Sequence, residues 1–251
     1  MEFDRIYAEV DLGRIEENME AMKEHLRPGT KMYGVVKTDA YGHGAVPVAR
    51  TIDRFVCGYA VATVDEGLKL RRHGIEKEIL CLGPVSAGRY QECLENDISL
   101  PMFEYRRAKE LSDAAVAEGK TAKIHIAVDT GMSRIGFADK PESVEEIKRI
   151  AALSNIEIEG MFTHFARADE TDKSPAEDQL KRYLAFVELL EKAGVQIPLK
   201  HCSNSAGIID IRKTNLDLVR AGISIYGLYP SEDVEKKNVP LRPAMELISH
   251  V

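Results

Sequence analysis

The 251-residue sequence has no tryptophan, a deficit of positive charge and no long apolar run. Its longest stretch without a charged side chain, residues 221–231, is too short to cross a membrane. The 34 Lys and Arg are outnumbered by 41 Asp and Glu, so the net charge is −7 and the basic surface typical of nucleic-acid binding is missing. The first residues carry no export signal. These absences argue against nucleic-acid and membrane partners and predict a soluble, cytoplasmic protein.

Cysteine is also scarce. The four cysteines are Cys57, Cys81, Cys93 and Cys202, and no two of them have the Cys-x-x-Cys spacing. Isolated cysteines of this kind are typically buried, reduced side chains, so we predict neither a disulfide nor a cysteine metal site.

Short runs rich in β-branched residues alternate along the chain with longer stretches of helical period. The clearest predicted helix has Ser174 as N-cap, Pro175 at its first position and Glu177 completing a capping box, and it ends at Gly194. Eight strands separated by helices favour an α/β fold, a closed (β/α)8 TIM barrel, with an open doubly wound sheet as the alternative. The predicted strands are residues 31–36, 57–61, 78–82, 98–102, 123–128, 158–163, 199–202 and 216–219.

The last part of the chain departs from this alternation. Residues 231–238 are charged and loop-like, and residues 239–251 read as an extended strand with no helix after it. We therefore predict that residues 1–238 form the barrel domain and that residues 239–251 are the first strand of a truncated, β-rich C-terminal domain.

The first strand of the predicted barrel ends in Lys37, with Tyr41 four residues later. Strand ends carry the chemistry in barrels of this kind. A lysine at the end of an apolar strand lies where burial favours the neutral amine that forms imines, although a lysine at a barrel rim more often extends into solvent. Tyr41 is placed to donate a hydrogen bond to a neighbouring anion.

Four further strand ends carry candidate residues. Arg134 follows the fifth strand and suits either a carboxylate clamp or a surface ion pair. His164 ends the sixth strand, where a core histidine is the commoner alternative to a catalyst. Ser205 follows the seventh strand in a segment that suits an anion site or a plain helix cap. Gly222 follows the eighth strand and allows either a close ligand approach or an ordinary turn.

Taken together, and in this order, these segments resemble the alanine racemase family of fold-type III pyridoxal-phosphate enzymes over residues 7–251. The matching segments are Val-Val-Lys-Thr-Asp-Ala-Tyr-Gly-His-Gly, Val-Asp-Thr-Gly-Met-Ser-Arg, Thr-His-Phe, Ser-Asn-Ser-Ala and Val-Arg-Ala-Gly-Ile-Ser-Ile-Tyr-Gly-Leu. The resemblance implies that Lys37 is the catalytic residue and carries the internal aldimine of pyridoxal 5'-phosphate. It further implies phosphate contacts from Tyr41, Ser205, Gly222 and Ile223, Arg220 at the pyridine nitrogen with His164 behind it, Arg134 on the substrate carboxylate, and no metal.

By the same resemblance the chain is an isomerase that interconverts L- and D-alanine and so supplies D-alanine for peptidoglycan. The family's opposite-face base is a tyrosine from the partner subunit's C-terminal domain, which implies a homodimer for the full-length protein. Because this chain stops where that domain would begin, we expect it to bind the cofactor and to racemise poorly.

One position departs from the family pattern. Ala127 stands where many members carry a carbamylated lysine that orients the arginine seven residues later, here Arg134. Strand alternation puts His125, Ala127 and Asp129 on the barrel interior. A buried Arg134 without a negative partner would be costly, so we expect a small anion such as chloride, or another carboxylate, beside it.

Three alternatives remain open from the sequence. One is a serine racemase of the same family, and another is a non-racemising barrel that binds pyridoxal phosphate in cofactor homeostasis. A third, from another class, is a metal-dependent hydrolase using His125, His164 and His201, which lie in or near three consecutive strands.

Overall fold

The alternation of short apolar strands with longer amphipathic helices produces a parallel barrel surrounded by helices. The computed structural model describes residues 5–250. Its strands are β1 (Ile6–Val10), β2 (Lys31–Val35), β3 (Gly58–Val61), β4 (Glu78–Cys81), β5 (Ile98–Met102), β6 (Ala122–Asp129), β7 (Phe137–Ala138), β8 (Ile156–Phe162), β9 (Leu199–His201), β10 (Leu218–Ala221) and β11 (Met245–Ser249). Its helices are α1 (Leu12–His25), α2 (Lys37–Tyr41, a left-handed turn), α3 (Ala45–Ile52), α4 (Val64–Arg72), α5 (Tyr90–Glu95), α6 (Tyr105–Ala117), α7 (Pro141–Ala151), α8 (Ser174–Lys192) and α9 (Ser205–Asp210).

The barrel wall follows the order β10-β2-β3-β4-β5-β6-β8-β9, and every neighbouring pair along it is parallel. Backbone hydrogen bonds close the remaining seam between β9 and β10. The N–H of Asp217 donates to the carbonyl oxygen of Lys200 at 3.1 Å, and the N–H of Arg220 donates to that of Ser203 at 3.0 Å. The predicted closed barrel is confirmed, and all eight predicted strands are present to within a few residues.

Strand alternation buries side chains on both faces of the wall. Tyr33, Val35, Ala60, Leu80 and Leu218 pack together inside the barrel. The larger apolar cluster lies between the strands and the helices. In residues 5–250, no helix combines the length and the apolar character that crossing a bilayer requires.

The strand predicted at the end of the chain is present, but it is shorter than expected. Strand β11 covers Met245–Ser249, and Val251 lies outside the described residues. It pairs antiparallel with β1, a strand that the sequence analysis missed, in a two-stranded sheet separate from the barrel. The two ends of the described chain therefore meet, and the assignment of residues 239–251 to a second domain stays a prediction.

The predicted cap of helix α8 is wrong. The N-cap is Lys173, and Ser174 is already inside the helix. Its backbone N–H and its hydroxyl both donate to the carboxylate of Asp172, each at 2.9 Å. Because the Ser174 hydroxyl is turned back to this preceding aspartate, it does not cap the helix. The Glu177 carboxylate does not complete a capping box either, and its Oε1 pairs with the Lys213 Nζ at 2.6 Å.

Candidate active site

The chain turns sharply after β2 in a conformation that residues other than glycine rarely adopt. Thr38, Asp39, Ala40 and Tyr41 have φ values of 51°, 52°, 56° and 54°. A left-handed residue costs about 1–2 kcal/mol, so a run of four must be held by its surroundings. The turn is the element that orients Lys37 and Tyr41.

Two carboxylates hold this turn. Glu66 accepts the N–H of Thr38 at 2.6 Å with one oxygen and the N–H of Ala62, at the end of β3, at 2.7 Å with the other. Oδ1 of Asp39 accepts a hydrogen bond from the ammonium of Lys69 at 2.7 Å. The strained backbone is thereby tied to the neighbouring strand and helix.

A cavity of about 570 Å³ opens at the carboxyl ends of the barrel strands. All eight residues predicted for the site line it, although they come from five separate strand ends. They are Lys37, Tyr41, Arg134, His164, Ser205, Arg220, Gly222 and Ile223.

One wall of the cavity has the donors of an anion cradle. The Ser205 hydroxyl oxygen accepts the N–H of Gly222 at 3.0 Å and that of Ser224 at 3.3 Å, so its own proton is left to donate elsewhere. A Cβ placed on Gly222 would lie 3.6 Å from both the Ser205 Oγ and the Tyr41 Oη. Glycine therefore keeps open a space on which two hydroxyl groups converge.

Arg220 is almost fully buried, at 3% exposure. Its Nη2 donates to the carbonyl oxygens of Thr163 at 2.9 Å and Cys202 at 3.2 Å. His164, its predicted partner, faces the same Nη2 through Nδ1 at 3.4 Å. The shorter imidazole contact is with His201, whose Nδ1 lies 3.0 Å from Nη1, a partner that sequence reasoning considered only as a metal ligand.

The charges around the cavity favour an anionic ligand. Among the described residues that line it, Lys37, Arg134 and Arg220 are cationic and Asp169 is acidic. Burial, and then the charges of Arg220, Arg134 and Lys37, lower the pKa of His164 to about 3, so this imidazole is neutral at physiological pH. Burial lowers the pKa of Arg220 to about 10, which leaves its guanidinium charged.

Arg134 differs from the expectation. It is exposed at the cavity, and among residues 5–250 it has no carboxylate or hydrogen-bond partner, whereas Ala127 is buried in the barrel wall at 1% exposure. The premise of a buried, uncompensated guanidinium is wrong, because solvent reaches this side chain. An anion beside Arg134 stays a prediction without that support.

Sequence reasoning also missed part of the lining. Residues 82–84, which follow β4, and Asp169 and Pro230 border the cavity. The Leu-Gly-Pro segment has no polar side chain, and a search for polar residues at strand ends passes over it. Its signal was its position alone, because apolar groups make up most of a binding pocket.

The three histidines do not form a metal site. His125 and His201 contact each other inside the barrel at 2.9 Å, and His201 also faces the Arg220 guanidinium. His164 faces the same guanidinium. Both ring nitrogens of His201 are thus engaged, and a fixed positive charge beside two imidazoles opposes cation binding.

These features define a class of protein, an α/β barrel with an amine and an anion cradle in one cavity at the carboxyl ends of its strands. Residues 10–230 match the family described as "Alanine racemase, N-terminal domain". The chain belongs to this family.

Known relatives agree with this assignment. The chain is 43% identical over 250 residues to an alanine racemase of Desulforamulus reducens and 44% identical over 250 residues to one of Methanococcus maripaludis, covering 98% of this chain and 68% and 67% of theirs. The solved structure of a Clostridium difficile alanine racemase in complex with cycloserine matches 99% of this chain and 69% of that one, with a TM-score of 0.97 and 41% identity. The predicted function is therefore confirmed at the level of the family, and the chain spans about two thirds of the length of these relatives.

Proposed function

We propose that this chain is the cofactor-binding barrel of an alanine racemase and that it binds pyridoxal 5'-phosphate through Lys37. The observation that carries the proposal is the convergence of Lys37, the Tyr41–Ser205–Gly222 cradle and Arg220 on one cavity. When bound, this cofactor withdraws electrons from the substrate Cα and makes its proton removable.

The residues present fit this cofactor. The ammonium of Lys37 lies 5.7 Å from the centre of the Tyr41 ring and has no carboxylate or hydrogen-bond partner among the described residues. The hydroxyls of Tyr41 and Ser205 would donate to the phosphate beside Gly222. Arg220 only donates hydrogen bonds. A pyridine nitrogen that faced it would therefore be an unprotonated acceptor, which would limit the electron withdrawal of the ring.

Racemisation needs a proton donor or acceptor on each face of Cα. Lys37 serves one face, and Arg134 would bind the substrate carboxylate from the cavity mouth. His164 is a poor second base, because burial and three neighbouring cations lower its pKa to about 3. Tyr41 is assigned to the phosphate. The second group therefore comes from outside the described residues, which supports a homodimer of the longer protein as the active form.

The substrate proposed is alanine, the amino acid named by the relatives. The product D-alanine would serve peptidoglycan synthesis, and the cytoplasm is the expected location. Neither serine racemisation nor cofactor storage without racemisation is favoured by any match described above.

The test is a titration of the chain with pyridoxal phosphate, followed by borohydride reduction and peptide mapping. We expect one pyridoxyl group per chain, on Lys37. Lys37→Ala should abolish this attachment, and the control Lys31→Ala, at an exposed lysine at the opposite end of β2, should keep it. Attachment to other lysines in the unchanged chain would contradict the proposal.

A further inference from the structure

A file of polar side chains runs from the cavity through the inside of the barrel. Arg220 faces His201, and Nε2 of His201 faces Nδ1 of His125 at 2.9 Å. Nε2 of His125 has no hydrogen-bond partner among the described residues; it faces Oε2 of Glu159 at 3.6 Å, and that oxygen accepts a hydrogen bond from the hydroxyl of Ser99 at 2.6 Å. Both imidazoles are 0% exposed, whereas the side chain of Glu159 at the far end is 13% exposed, so only the middle of this file is shielded from water.

The order of protons along the file follows from one end. A guanidinium only donates, so while Arg220 holds this position Nδ1 of His201 accepts and the proton of His201 is on Nε2. That proton is donated to Nδ1 of His125, which leaves the proton of His125 on Nε2, facing Glu159. An extra proton on His125 would set two N–H groups against each other at 2.9 Å.

The other end of the file is a carboxylate. Burial works to raise the pKa of Glu159, but the neighbouring imidazole of His125, the hydrogen bond from Ser99 and the nearby ammonium of Lys123 outweigh it and lower the pKa. Oε1 of Glu159 lies 3.9 Å from the Lys123 Nζ. The file therefore joins a buried cation at the cavity to an anion at the far end of the interior through two neutral rings.

We propose that Glu159 is a positioning residue for Arg220, which it holds in place by fixing the proton order of His125 and His201. A neutral imidazole has two tautomers of similar free energy, so a carboxylate facing Nε2 of His125 favours the tautomer whose N–H points toward that negative charge. With the opposite tautomer, the Nδ1–H of His201 would meet an N–H of Arg220 at 3.0 Å, and the guanidinium would be displaced. The proposal rests on the proposed function only where it concerns the cofactor that Arg220 faces.

The first test is made on the cofactor-free chain by ¹⁵N–¹H NMR of the imidazoles. In the unchanged chain we expect both His125 and His201 as Nε2–H tautomers. Glu159→Leu removes the acceptor, and we expect a mixture of tautomers in both rings. The matched control is Glu157→Gln, an exposed glutamate two residues earlier on β8, and it should leave both spectra unchanged. Unaltered tautomers in Glu159→Leu would overturn the proposal.

Glu159→Gln keeps an acceptor oxygen and guards against failure of the leucine variant to fold. We expect the proton order to remain and the Nε2–H proton of His125 to shift upfield, because an amide oxygen is a weaker acceptor than a carboxylate. An Nε2–H signal of His125 that does not move would also overturn the proposal.

The second test measures pyridoxal phosphate binding by the same variants. We expect Kd to rise roughly fivefold in Glu159→Leu, which is the effect of about one buried hydrogen bond, and to change less than twofold in Glu157→Gln. An unchanged Kd in Glu159→Leu would contradict the link to Arg220. If the unchanged chain bound no cofactor, the proposed function would fail, and the NMR result would still decide the proton order.

Discussion

The two sides of the cavity are built differently. On the proposed cofactor wall, Ser205, Arg220 and Gly222 are fixed by hydrogen bonds from within the chain, and the backbone turn that carries Lys37 and Tyr41 is tied down by Glu66 and Asp39. The β6 loop, residues 130–136, lies opposite and carries Arg134, which is exposed and without a partner among the described residues.

Backbone strain is present on both sides, but only one side supports the functional group it carries. On the cofactor wall, the left-handed turn after Lys37 is held by Glu66 and Asp39. In the β6 loop, Asp129 accepts the N–H of Ser133, which has a φ of 56°, but nothing described holds the arginine that follows it. We infer that this chain completes the anchor for a cofactor and leaves the substrate side open.

The largest effect expected from this difference concerns the part of the relatives' length that this chain does not span. The 251-residue chain should bind pyridoxal phosphate and racemise alanine at least roughly 10³-fold more slowly than a chain extended to the length of the relatives, because one face of Cα lacks its proton group. Racemisation and deuterium exchange are measured together on L- and D-alanine. Equal racemisation by the two chains would show that the second group lies within these residues.

The phosphate cradle should give the next largest effect. Tyr41→Phe removes one hydroxyl donor, and we expect Kd for pyridoxal phosphate to rise about 10- to 100-fold, as for a hydrogen bond to a charged group. Pyridoxal, which has no phosphate, is the matched control ligand, and its affinity should change less than twofold. An equal loss for both ligands would mean that Tyr41 contacts another part of the cofactor.

The left-handed turn can be tested through its clamp. Glu66→Ala removes the acceptor for the N–H groups of Thr38 and Ala62, and we expect it to lower the free energy of unfolding by about 2 kcal/mol. Asp65 lies on the same helix as Glu66, and Asp65→Ala, which removes its exposed ion pair with Arg89, should lower the free energy of unfolding much less than Glu66→Ala does. Chemical denaturation of both variants distinguishes the clamp from a general effect of lost charge.

How far the sequence predicts this molecule depends on the kind of feature. The strands were predicted because apolar runs mark a buried parallel sheet, and six of the eight residues that line the cavity were candidates because strand ends meet at one face of a barrel. Arg220 and Ile223 were added only by the resemblance to the family, and the roles given to all eight stay predictions. Strand β1 was missed because it contributes no residue to the buried core, and both its apolar Ile6 and its acidic Glu9 are exposed. A search for buried apolar runs therefore passes over it. Its partner β11 lies at the opposite end of the chain, where no local pattern points to it.

The surroundings of side chains were harder to predict than their positions. The contact between His201 and Arg220 joins neighbouring strands across the closing seam, and it depends on register rather than on local pattern. The exposure of Arg134 depends on the path of the β6 loop. The four positive φ values after Lys37 had no sequence signal, because residues 38–41 include no glycine.

A smaller effect is expected from pH. His164 has a pKa of about 3 in the folded protein and an ordinary value near 6.5 when unfolded, so the unfolded state binds more protons between these values. Folding stability should therefore be lost as pH falls below about 6.5, by about 1 kcal/mol per pH unit from this residue. In denaturation curves at pH 6.5 and 5.5, His164→Gln should lose less stability than the unchanged chain. An equal loss would mean that His164 is protonated in the folded state.

The smallest effect is expected at Arg134. Because this guanidinium is exposed and unpartnered, Arg134→Ala should change the free energy of unfolding by less than about 0.5 kcal/mol and leave the Kd for pyridoxal phosphate nearly unchanged. Arg182→Ala is the matched control in the structured part of this region, because Arg182 pairs with Asp139 at 2.7 Å and donates to the carbonyl oxygen of Thr130 at 2.9 Å, and its loss should cost more. A crystal grown in chloride tests the remaining expectation of an anion beside Arg134. If Arg134→Ala were clearly destabilising, or if chloride raised the melting temperature of the unchanged chain and not of the variant, the β6 loop would be held as firmly as the cofactor wall.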